Sequence, residues 1–306
     1  MDFPQIIQES KAAAANAYLE VVEKAIHVLS DPKSTENLTV TGKLVTLKPV
    51  GEALVVGDLH GDLDSLRVIL EQSGFLDKLE RDKFASMIFL GDYGDRGALS
   101  PELIYCVLEL KLAFPLQVVL LQGNHEGPPD LMASPHDLPE YLQRKFKQNG
   151  YDVYQRLTEL FCHLQVAVYV EKRYLMVHGG LPHNLRSLQD LANAQQLYPK
   201  ATFLEELLWS DPDEQIRRLG TSPRGAGYVF GQEVTEEVLG ALDAQILIRG
   251  HEPAEAGYKI NHNGKVLTLF SRKGEPYFNQ NGAYLQLPLE PKFENAHQMV
   301  AFIHPF

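Results

Sequence analysis

The chain has 306 residues, of which 44% are hydrophobic, and it carries a formal net charge of −12 at pH 7. Its length allows a sizeable buried core, and we expect one large α/β domain rather than two smaller ones. The negative charge argues against a nucleic-acid backbone as partner, because surfaces that bind nucleic acids are normally basic.

The cysteines and the hydropathy pattern predict the compartment. Only Cys106 and Cys162 are present, and we expect both to be buried free thiols, as is usual in a reducing cytoplasm. The N-terminal residues lack the pattern of a signal peptide, and no run approaches the roughly 18 apolar residues that a membrane span needs. The sequence therefore predicts a cytoplasmic protein that makes no membrane contact.

Residues 8–30 contain an alanine run followed by apolar side chains at helical spacing, and this pattern predicts one amphipathic helix. Residues 31–52 are rich in turn formers and contain one expected strand near 44–47. From residue 53 onward, apolar runs alternate with polar loops and helical patterns, which predicts a sheet with helices packed on it. The expected helices lie near 62–73, 100–112, 151–163 and 185–208, and the expected C-terminal strands lie near 266–270, 283–287 and 299–303.

Residues 86–97 form the stretch around which the other motifs are arranged. Met87 to Leu90 are apolar without alternation, as in a strand covered on both faces, and the loop that follows contains Asp92 and Asp95. In open α/β sheets, ligands bind in the crevice beyond the carboxyl ends of the strands. Four more apolar runs end in the same way, and the polar residues that follow them are Asp58 and His60, Asn124 and His125, His178, and His251.

The residues after these five strands offer oxygen and imidazole ligands for divalent metals such as manganese, iron, zinc or cobalt. One carboxylate can bridge two ions, and two ions about 3.5 to 4 Å apart can clamp the attacking and leaving oxygens of a phosphoryl displacement. A guanidinium group matches phosphate oxygens, so Arg96 and Arg224 are candidate phosphate ligands. His125 could protonate the leaving oxygen, with Asp95 orienting its imidazole.

Six motifs, taken in order, carry a resemblance to a known family. They are GDLHG at 57–61, GDYGDRG at 91–97, GNHE at 123–126, HGGL at 178–181, LLWSDPD at 207–213 and LTLFS at 267–271. Together they resemble the phosphoprotein phosphatase family of metal-dependent serine/threonine phosphatases, and its type 1 and type 2A catalytic subunits most closely. The resemblance implies an α/β, calcineurin-like metallophosphoesterase fold, in which helices flank a central β-sandwich and a dinuclear metal site lies at the strand ends.

The resemblance also implies a role for each site residue. It implies a first metal held by Asp58, His60 and Asp92, and a second held by Asp92, Asn124, His178 and His251. It implies phosphate binding by Arg96, Asn124 and Arg224, and general acid catalysis by His125 with Asp95. Two divalent metal ions follow as cofactors, with manganese expected first and iron, zinc or cobalt as alternatives.

The function implied by the resemblance is hydrolysis of phosphoserine and phosphothreonine by a water that two metals activate. Its expected partners are phosphorylated proteins as substrates and possible regulatory subunits. We expect residues 1–306 to form a single metallophosphatase catalytic domain, with residues 1–45 as an N-terminal helical extension packed on it. Two alternatives stay open: a related metallophosphoesterase acting on dinucleoside polyphosphates or other small phosphoesters, and an inactive scaffold of the same fold.

Several residues depart from the family pattern or have a simpler explanation. Gln122 stands where the family usually has arginine, which predicts a weakened or re-aimed contact near the phosphate. The loop after Ser271 displaces or omits the active-site tyrosine of the family, and Tyr277 is a candidate substitute. The acidic residues within 205–214 form either a solvated helix end or a substrate groove that selects basic residues. Surface or turn positions are expected for His136, His183 and His262.

Overall fold

Two β-sheets face each other across an apolar layer at the centre of the protein, and helices cover their outer faces. The structure is a computed structural model that describes residues 1–306. The strands are β1 (Leu38–Thr41), β2 (Leu44–Leu47), β3 (Glu52–Val56), β4 (Ser86–Phe89), β5 (Val118–Leu120), β6 (Ala167–Val170), β7 (Tyr174–Val177), β8 (Asp211–Pro212), β9 (Leu219–Thr221), β10 (Tyr228–Phe230), β11 (Ile246–Arg249), β12 (Tyr258–Asn261), β13 (Val266–Leu269), β14 (Ala283–Pro288) and β15 (Ile303–Pro305).

The helices connect these strands and pack on both sheets. The α-helices are α1 (Phe3–Ala12), α2 (Ala15–Ser30), α3 (Leu63–Ser73), α4 (Phe75–Arg81), α5 (Ser100–Ala113), α6 (Leu138–Phe146), α7 (Gly150–Phe161), α8 (Leu188–Ala192), α9 (Ala194–Leu197), α10 (Phe203–Trp209) and α11 (Gln232–Ala241). Short 3₁₀ helices span Asn124–Glu126, Pro129–Leu131, Lys147–Asn149, His262–Gly264 and Ala296–Phe302.

The strand order brings five strand ends to one edge of the sandwich. The five-stranded sheet has the order β15-β14-β3-β4-β5, in which β3, β4 and β5 run parallel. The seven-stranded sheet has the order β1-β2-β6-β7-β11-β13-β12, in which β7, β11 and β13 run parallel. The five strands predicted to have polar ends are therefore divided between the two sheets rather than gathered in one. A small third sheet has the order β8-β10-β9.

The central strands are apolar on both faces because each face meets a separate core. In β3, Val55 packs into the layer between the sheets, whereas Leu54 packs beneath the helices. In β4, Ile88 and Met87 are divided in the same way. Successive side chains of a strand point to opposite faces, so burial of both faces accounts for the missing alternation in the sequence. The predicted sandwich of sheets flanked by helices is confirmed.

The N-terminal residues form two helices rather than the single helix predicted over 8–30. The backbone is extended at Ala13 and Ala14, between α1 and α2. Alanine favours helix, so the break reflects tertiary packing: α1 contacts α5, whereas α2 contacts both α5 and α7. The predicted helices near 62–73, 100–112 and 151–163 are present as α3, α5 and α7.

Other local predictions need correction. Residues 31–52 contain the hairpin of β1 and β2 rather than one strand, and the helical region predicted over 185–208 is divided into α8, α9 and α10. The strand predicted at 299–303 begins only at Ile303, because the side chain of Asn295 caps a 3₁₀ helix that precedes it. Cys106 is buried as expected, but Cys162 directly follows α7 and is exposed. None of the helices has both the length and the apolar character that crossing a membrane would take.

Candidate active site

Eight of the predicted site residues lie in the loops that follow β3, β4, β5, β7 and β11, at the shared edge of the two sheets. Each of them is at most 5% exposed: Asp58, His60, Asp92, Asp95, Asn124, His125, His178 and His251. Burial of so many polar side chains is costly unless hydrogen bonds or ions satisfy them. Their partners therefore define what the site can do.

The backbone of these loops adopts a conformation that most residues avoid. Five residues have φ between 43° and 71°: His60, Asp92, Asp95, Arg96 and His251. This left-handed region ordinarily favours glycine. Backbone strain of this kind concentrates at functional sites, where the surrounding structure enforces it.

The buried side chain of Glu126 holds two of the loops together. Its carboxylate accepts hydrogen bonds from the N–H groups of Asp92 at 2.9 Å, Tyr93 at 2.9 Å and Gly123 at 3.0 Å. The loops also approach closely, since a Cβ added to Gly91 would lie 2.5 Å from the nitrogen of Gly123. Sequence reasoning gave Glu126 no role, although its place in the GNHE motif was an available signal.

A first cluster contains Asp58, His60 and Asp92. His60 Nδ1 lies 2.9 Å from the carbonyl oxygen of Gly94, so Nδ1–H donates there and the lone pair of Nε2 faces the cluster. His60 Nε2 lies 3.3 Å from Asp92 Oδ2 and 3.9 Å from Asp58 Oδ2. His125 is also close, because single ligand atoms of His60, Asp92 and His125 lie within 4.8 Å of one another.

A second cluster contains Asp92, Asn124, His178 and His251. His178 Nδ1 lies 3.0 Å from the carbonyl oxygen of Leu90, so Nδ1–H donates there and Nε2 presents its lone pair. This Nε2 lies 3.4 Å from Asp92 Oδ1 and 3.2 Å from His251 Nδ1. Asn124 Oδ1 lies 3.0 Å from both of these imidazole nitrogens. Four ligand atoms thus converge on one point.

The donor atoms of both clusters fit divalent cations. In the first cluster, the buried atom Asp58 Oδ2 has no hydrogen-bond partner. Burial raises the pKa of Asp58 to about 7, and burial together with the Asp58 charge raises the pKa of Asp92. Burial also lowers the pKa of His60, which favours a neutral imidazole. Cations would compensate the carboxylate charges and use the neutral imidazoles as ligands.

His125 and Asp95 form a buried hydrogen-bonded pair beside the first cluster. His125 Nδ1 lies 2.5 Å from Asp95 Oδ2. Burial lowers the pKa of His125, and the hydrogen bond to Asp95 opposes this effect. Burial alone would raise the pKa of Asp95, but hydrogen bonds from His125 and His136 outweigh it and hold the pKa below its usual range. An imidazole oriented by a fixed carboxylate is suited to transfer a proton.

Arg96 and Arg224, the two predicted phosphate ligands, each use part of the guanidinium group in hydrogen bonds within the protein. Arg224 Nε lies 2.5 Å from Asp211 Oδ2, and its Nη2 lies 3.4 Å from the backbone oxygen of His251. Asp211 also binds Arg249, which is completely buried and which the sequence analysis did not single out. Arg96 Nη1 donates to a backbone carbonyl in the 127–137 loop at 2.7 Å.

The two departures from the family pattern both make contacts at the site. Gln122 Nε2 donates to the backbone carbonyl of Glu126 at 2.7 Å. Tyr277 stacks on His60, with 5.6 Å between the ring centroids. The Arg272 guanidinium lies 5.9 Å from the centre of the Tyr277 ring and donates to the carbonyl of His60. The altered loop therefore places a tyrosine against a cluster residue.

The three histidines predicted to lie on the surface or in turns all have side-chain partners. His136 Nδ1 lies 2.8 Å from Asp95 Oδ2, and His183 Nδ1 lies 2.9 Å from Glu206 Oε2. His262 is completely buried. The prediction holds for His183, which lies in a turn, but it was wrong for the buried His262. The partners of these histidines are distant along the chain and leave no periodic pattern in the sequence.

The acidic residues within 205–214 do not form a solvated helix end. Glu206 is buried, and Glu205 accepts a hydrogen bond from the N–H of Gly227 at 2.9 Å. Asp211 is buried between two arginines. Part of the acidic group therefore organises the loops near Arg224, and the rest borders a groove.

Comparison with known proteins identifies the family. The calcineurin-like phosphoesterase model matches residues 52–255, more than half of the chain. The chain belongs to this family. One curated relative of this chain is a probable serine/threonine-protein phosphatase of Encephalitozoon cuniculi. The two sequences are 34% identical over 254 residues, which cover 82% of this chain and 52% of the relative. Another is a PP2A-like serine/threonine-protein phosphatase of Candida albicans, 31% identical over 254 residues, or 82% of this chain and 57% of the relative.

The matches cover only part of each curated relative, which limits what the relatives' names say about this chain. The chain spans about half the length of the curated relatives it matches. Among solved structures, it resembles a Saccharomyces cerevisiae protein serine/threonine phosphatase described as similar to human phosphatase PP5, with a TM-score of 0.75 and 22% identity over 96% of this chain and 90% of that one. At this identity the likeness shows the fold alone. The predicted α/β, calcineurin-like metallophosphoesterase fold is confirmed.

Proposed function

We propose that the chain is a metal-dependent protein phosphatase that hydrolyses phosphoserine and phosphothreonine with water as the direct nucleophile. The main support is the shared position of Asp92: Oδ2 lies 3.3 Å from His60 Nε2, and Oδ1 lies 3.4 Å from His178 Nε2. Two cations that share one carboxylate are a known arrangement for in-line displacement at phosphorus. The curated relatives are named serine/threonine phosphatases, which supports the same substrate class.

The proposal includes two divalent metal ions. We assign Asp58, His60 and Asp92 to the first and Asp92, Asn124, His178 and His251 to the second. When bound, divalent cations would acidify the attacking water and neutralise the phosphate charge. Manganese is the metal we expect, and iron, zinc or cobalt are alternatives, because carboxylate, amide and imidazole ligands accept all four.

The remaining site residues bind phosphate and move a proton. Arg96, Asn124 and Arg224 would hold the phosphate oxygens and orient the ester for attack. His125 would donate its Nε2 proton to the leaving seryl or threonyl oxygen, while Asp95 keeps the Nδ1–H end of the ring fixed. No side chain is required to form a covalent phosphoenzyme.

A groove beside Arg224 supports a protein substrate rather than a small phosphoester. The groove encloses about 570 Å³ and is lined by Asp213 and Glu214, which form no ion pair, beside Asp211 and Glu252, which are paired with arginines. Carboxylates next to a phosphate site attract basic side chains on the substrate. We therefore propose that the substrates are phosphoproteins with basic residues near the phosphorylated position.

The proposal extends to the whole chain and its surroundings. The helices α1 and α2 share one apolar core with α5 and α7, which supports a single catalytic unit of residues 1–306. The helical extension expected over residues 1–45 ends with α2, because β1 and β2 belong to the seven-stranded sheet. Both cysteines are free thiols, which agrees with a cytoplasmic location. Regulatory subunits stay a prediction from the family resemblance.

Metal analysis combined with phosphatase assays tests the proposal. We expect two bound ions per chain and chelator-sensitive hydrolysis of a phosphoserine peptide. Asp92→Asn keeps the shape of the side chain but removes the shared charge, so this variant should lose bound metal and activity while its thermal unfolding changes little. Asp64→Asn is the matched control, because Asp64 is an exposed carboxylate in the first turn of α3.

The same assays separate the alternatives. Faster turnover of a diadenosine polyphosphate than of the phosphopeptide would favour the metallophosphoesterase alternative. Metal-loaded protein that hydrolyses neither substrate would be an inactive scaffold. Full activity of metal-free protein would contradict metal dependence.

A further inference from the structure

Asp95 binds a second histidine in addition to His125. Its Oδ2 lies 2.5 Å from His125 Nδ1 and 2.8 Å from His136 Nδ1. Its Oδ1 accepts hydrogen bonds from the N–H groups of Asp137 at 2.7 Å and Leu138 at 2.6 Å. Both oxygens of this completely buried carboxylate are therefore occupied, and two imidazoles share one of them.

His136 is itself fixed at its other nitrogen. His136 Nε2 lies 2.9 Å from the hydroxyl oxygen of Tyr154 on α7, and the His136 side chain is 16% exposed. An ionised carboxylate only accepts hydrogen bonds, so His136 Nδ1 must carry the proton that faces Asp95. The Tyr154 hydroxyl can then donate to Nε2, so both nitrogens of the imidazole have hydrogen-bond partners.

We propose that His136 is a positioning residue for the reaction, and that it acts on His125 through the shared oxygen of Asp95. This inference rests on the proposed function, in which His125 donates a proton. His136 occupies one lone pair of Asp95 Oδ2 and fixes the direction of the carboxylate. His125 is thereby held with Nδ1–H toward Asp95 and Nε2 toward the leaving oxygen. His136 touches neither the clusters nor the leaving group.

A purely structural role would be to tie the 127–137 loop to α7. Asp95 already fixes the end of this loop through the two backbone N–H groups that follow His136. The imidazole is therefore not needed to anchor the loop to Asp95. What the imidazole adds is a second donor on the oxygen that orients His125.

The test compares substrates whose leaving groups differ in their need for a proton. His136→Ala removes the donor, and His136→Asn restores an N–H donor near the position of Nδ1. We expect His136→Ala to lose about tenfold in kcat on a phosphoserine peptide, part of the roughly 100- to 10,000-fold that a general acid contributes. It should lose less than about twofold on nitrophenyl phosphate, whose leaving group needs little protonation. His136→Asn should recover most of the loss, with KM and bound metal unchanged.

Matched variants complete the comparison. His27→Ala removes an exposed histidine on α2 and should behave as wild type. Tyr154→Phe removes the partner of His136 Nε2 and should show a smaller loss in the same direction. If thermal unfolding shows that His136→Ala does not fold, Tyr154→Phe carries the test. Equal losses on the two substrates, or an Asn variant as impaired as the Ala variant, would overturn the proposal.

A measurement without turnover separates this inference from the proposed function. If His125→Ala loses equal activity on both substrates, the proton-donor role of His125 fails first. Nitrogen NMR of the zinc-loaded protein then reports the protonation of His125 directly. An Nδ1–H of His125 hydrogen-bonded to Asp95 in wild type, weakened or lost in His136→Ala, would support the positioning role of His136. Identical His125 spectra in the two proteins would refute it.

Discussion

Arg249 and Asp211 form a buried ion pair that fixes Arg224 beside the second cluster. Arg249 Nη2 lies 2.8 Å from Asp211 Oδ1, and the arginine side chain is 0% exposed. The other oxygen of Asp211 lies 2.5 Å from Arg224 Nε. One carboxylate therefore connects a structural arginine in the core to a guanidinium proposed to bind phosphate.

The first prediction concerns Asp211→Asn. The substitution keeps the side-chain shape but replaces charged hydrogen bonds, which contribute about 1.5 to 3 kcal/mol each, by weaker ones. Arg224 should lose its orientation, and kcat/KM on a phosphoserine peptide should fall by about 10- to 100-fold. Asp243→Asn is the control, because this carboxylate is exposed. Unchanged kcat/KM in Asp211→Asn would show that Arg224 is oriented by other contacts.

The second prediction concerns the forked donors of Arg96 and Arg224. Lysine keeps the positive charge at either position but cannot bind two phosphate oxygens in one plane. Transition-state stabilisation should fall by about 1.5 to 3 kcal/mol in each variant. Competitive inhibition by inorganic phosphate should weaken in parallel. If both lysine variants keep wild-type kcat/KM and phosphate inhibition, these arginines have another role.

The third prediction separates the ring of Tyr277 from its hydroxyl group. Burial raises the pKa of Tyr277, so the hydroxyl stays protonated near neutral pH and can donate a hydrogen bond. Tyr277→Phe should keep the stack on His60 and the bound metal, but lose about 1 kcal/mol of substrate binding, seen as a several-fold higher KM. Tyr277→Ala should also weaken metal binding. Tyr151→Phe, at a side chain that is 65% exposed, should change neither quantity.

The fourth prediction uses a buried charge away from the site. Lys111 is 9% exposed, and its Nζ donates to the carbonyls of Pro115 and Val118 at 2.8 Å each. Burial lowers the pKa of Lys111 from 10.5 to about 8. Between these two values the unfolded chain binds more protons than the folded protein, so this residue makes the free energy of unfolding rise with pH.

Comparison with Lys111→Met isolates that effect. Between pH 7 and pH 10, the free energy of unfolding of wild type should rise by about 2 to 3 kcal/mol relative to the variant. Denaturant titrations at several pH values measure the difference. The loss of the Lys111 hydrogen bonds to the two carbonyls changes the difference in free energy of unfolding by the same amount at every pH. The dependence of this difference on pH is therefore unaffected. In the control variant Lys33→Met, at an exposed site, the difference in free energy of unfolding from wild type should not change with pH. A difference that stays constant with pH in Lys111→Met would contradict the prediction.

Local motifs predicted which residues form the two clusters, because each of these residues follows a strand within a few positions. The contacts that orient those residues were not predictable in the same way. His136 and Asp95 are 41 residues apart, and Arg249 and Asp211 are 38 apart, so no spacing rule connects them. The break at Ala13 was missed for a related reason, since local helix propensity favours continuity and only packing against other helices opposes it.

The second cluster takes its residues from both sheets, whereas the first takes its residues from the five-stranded sheet alone. Asp92 and Asn124 follow β4 and β5 of the five-stranded sheet, and His178 and His251 follow β7 and β11 of the seven-stranded sheet. The apolar layer between the sheets, which includes Val55 and Ile248, therefore contributes to the spacing of the second cluster, whose residues come from both sides of that layer. We expect smaller side chains in this layer to change the ionic radius that the second cluster favours, although every candidate ligand atom stays the same. We therefore expect the metal preference of the site to depend in part on aliphatic side chains that contact no ion.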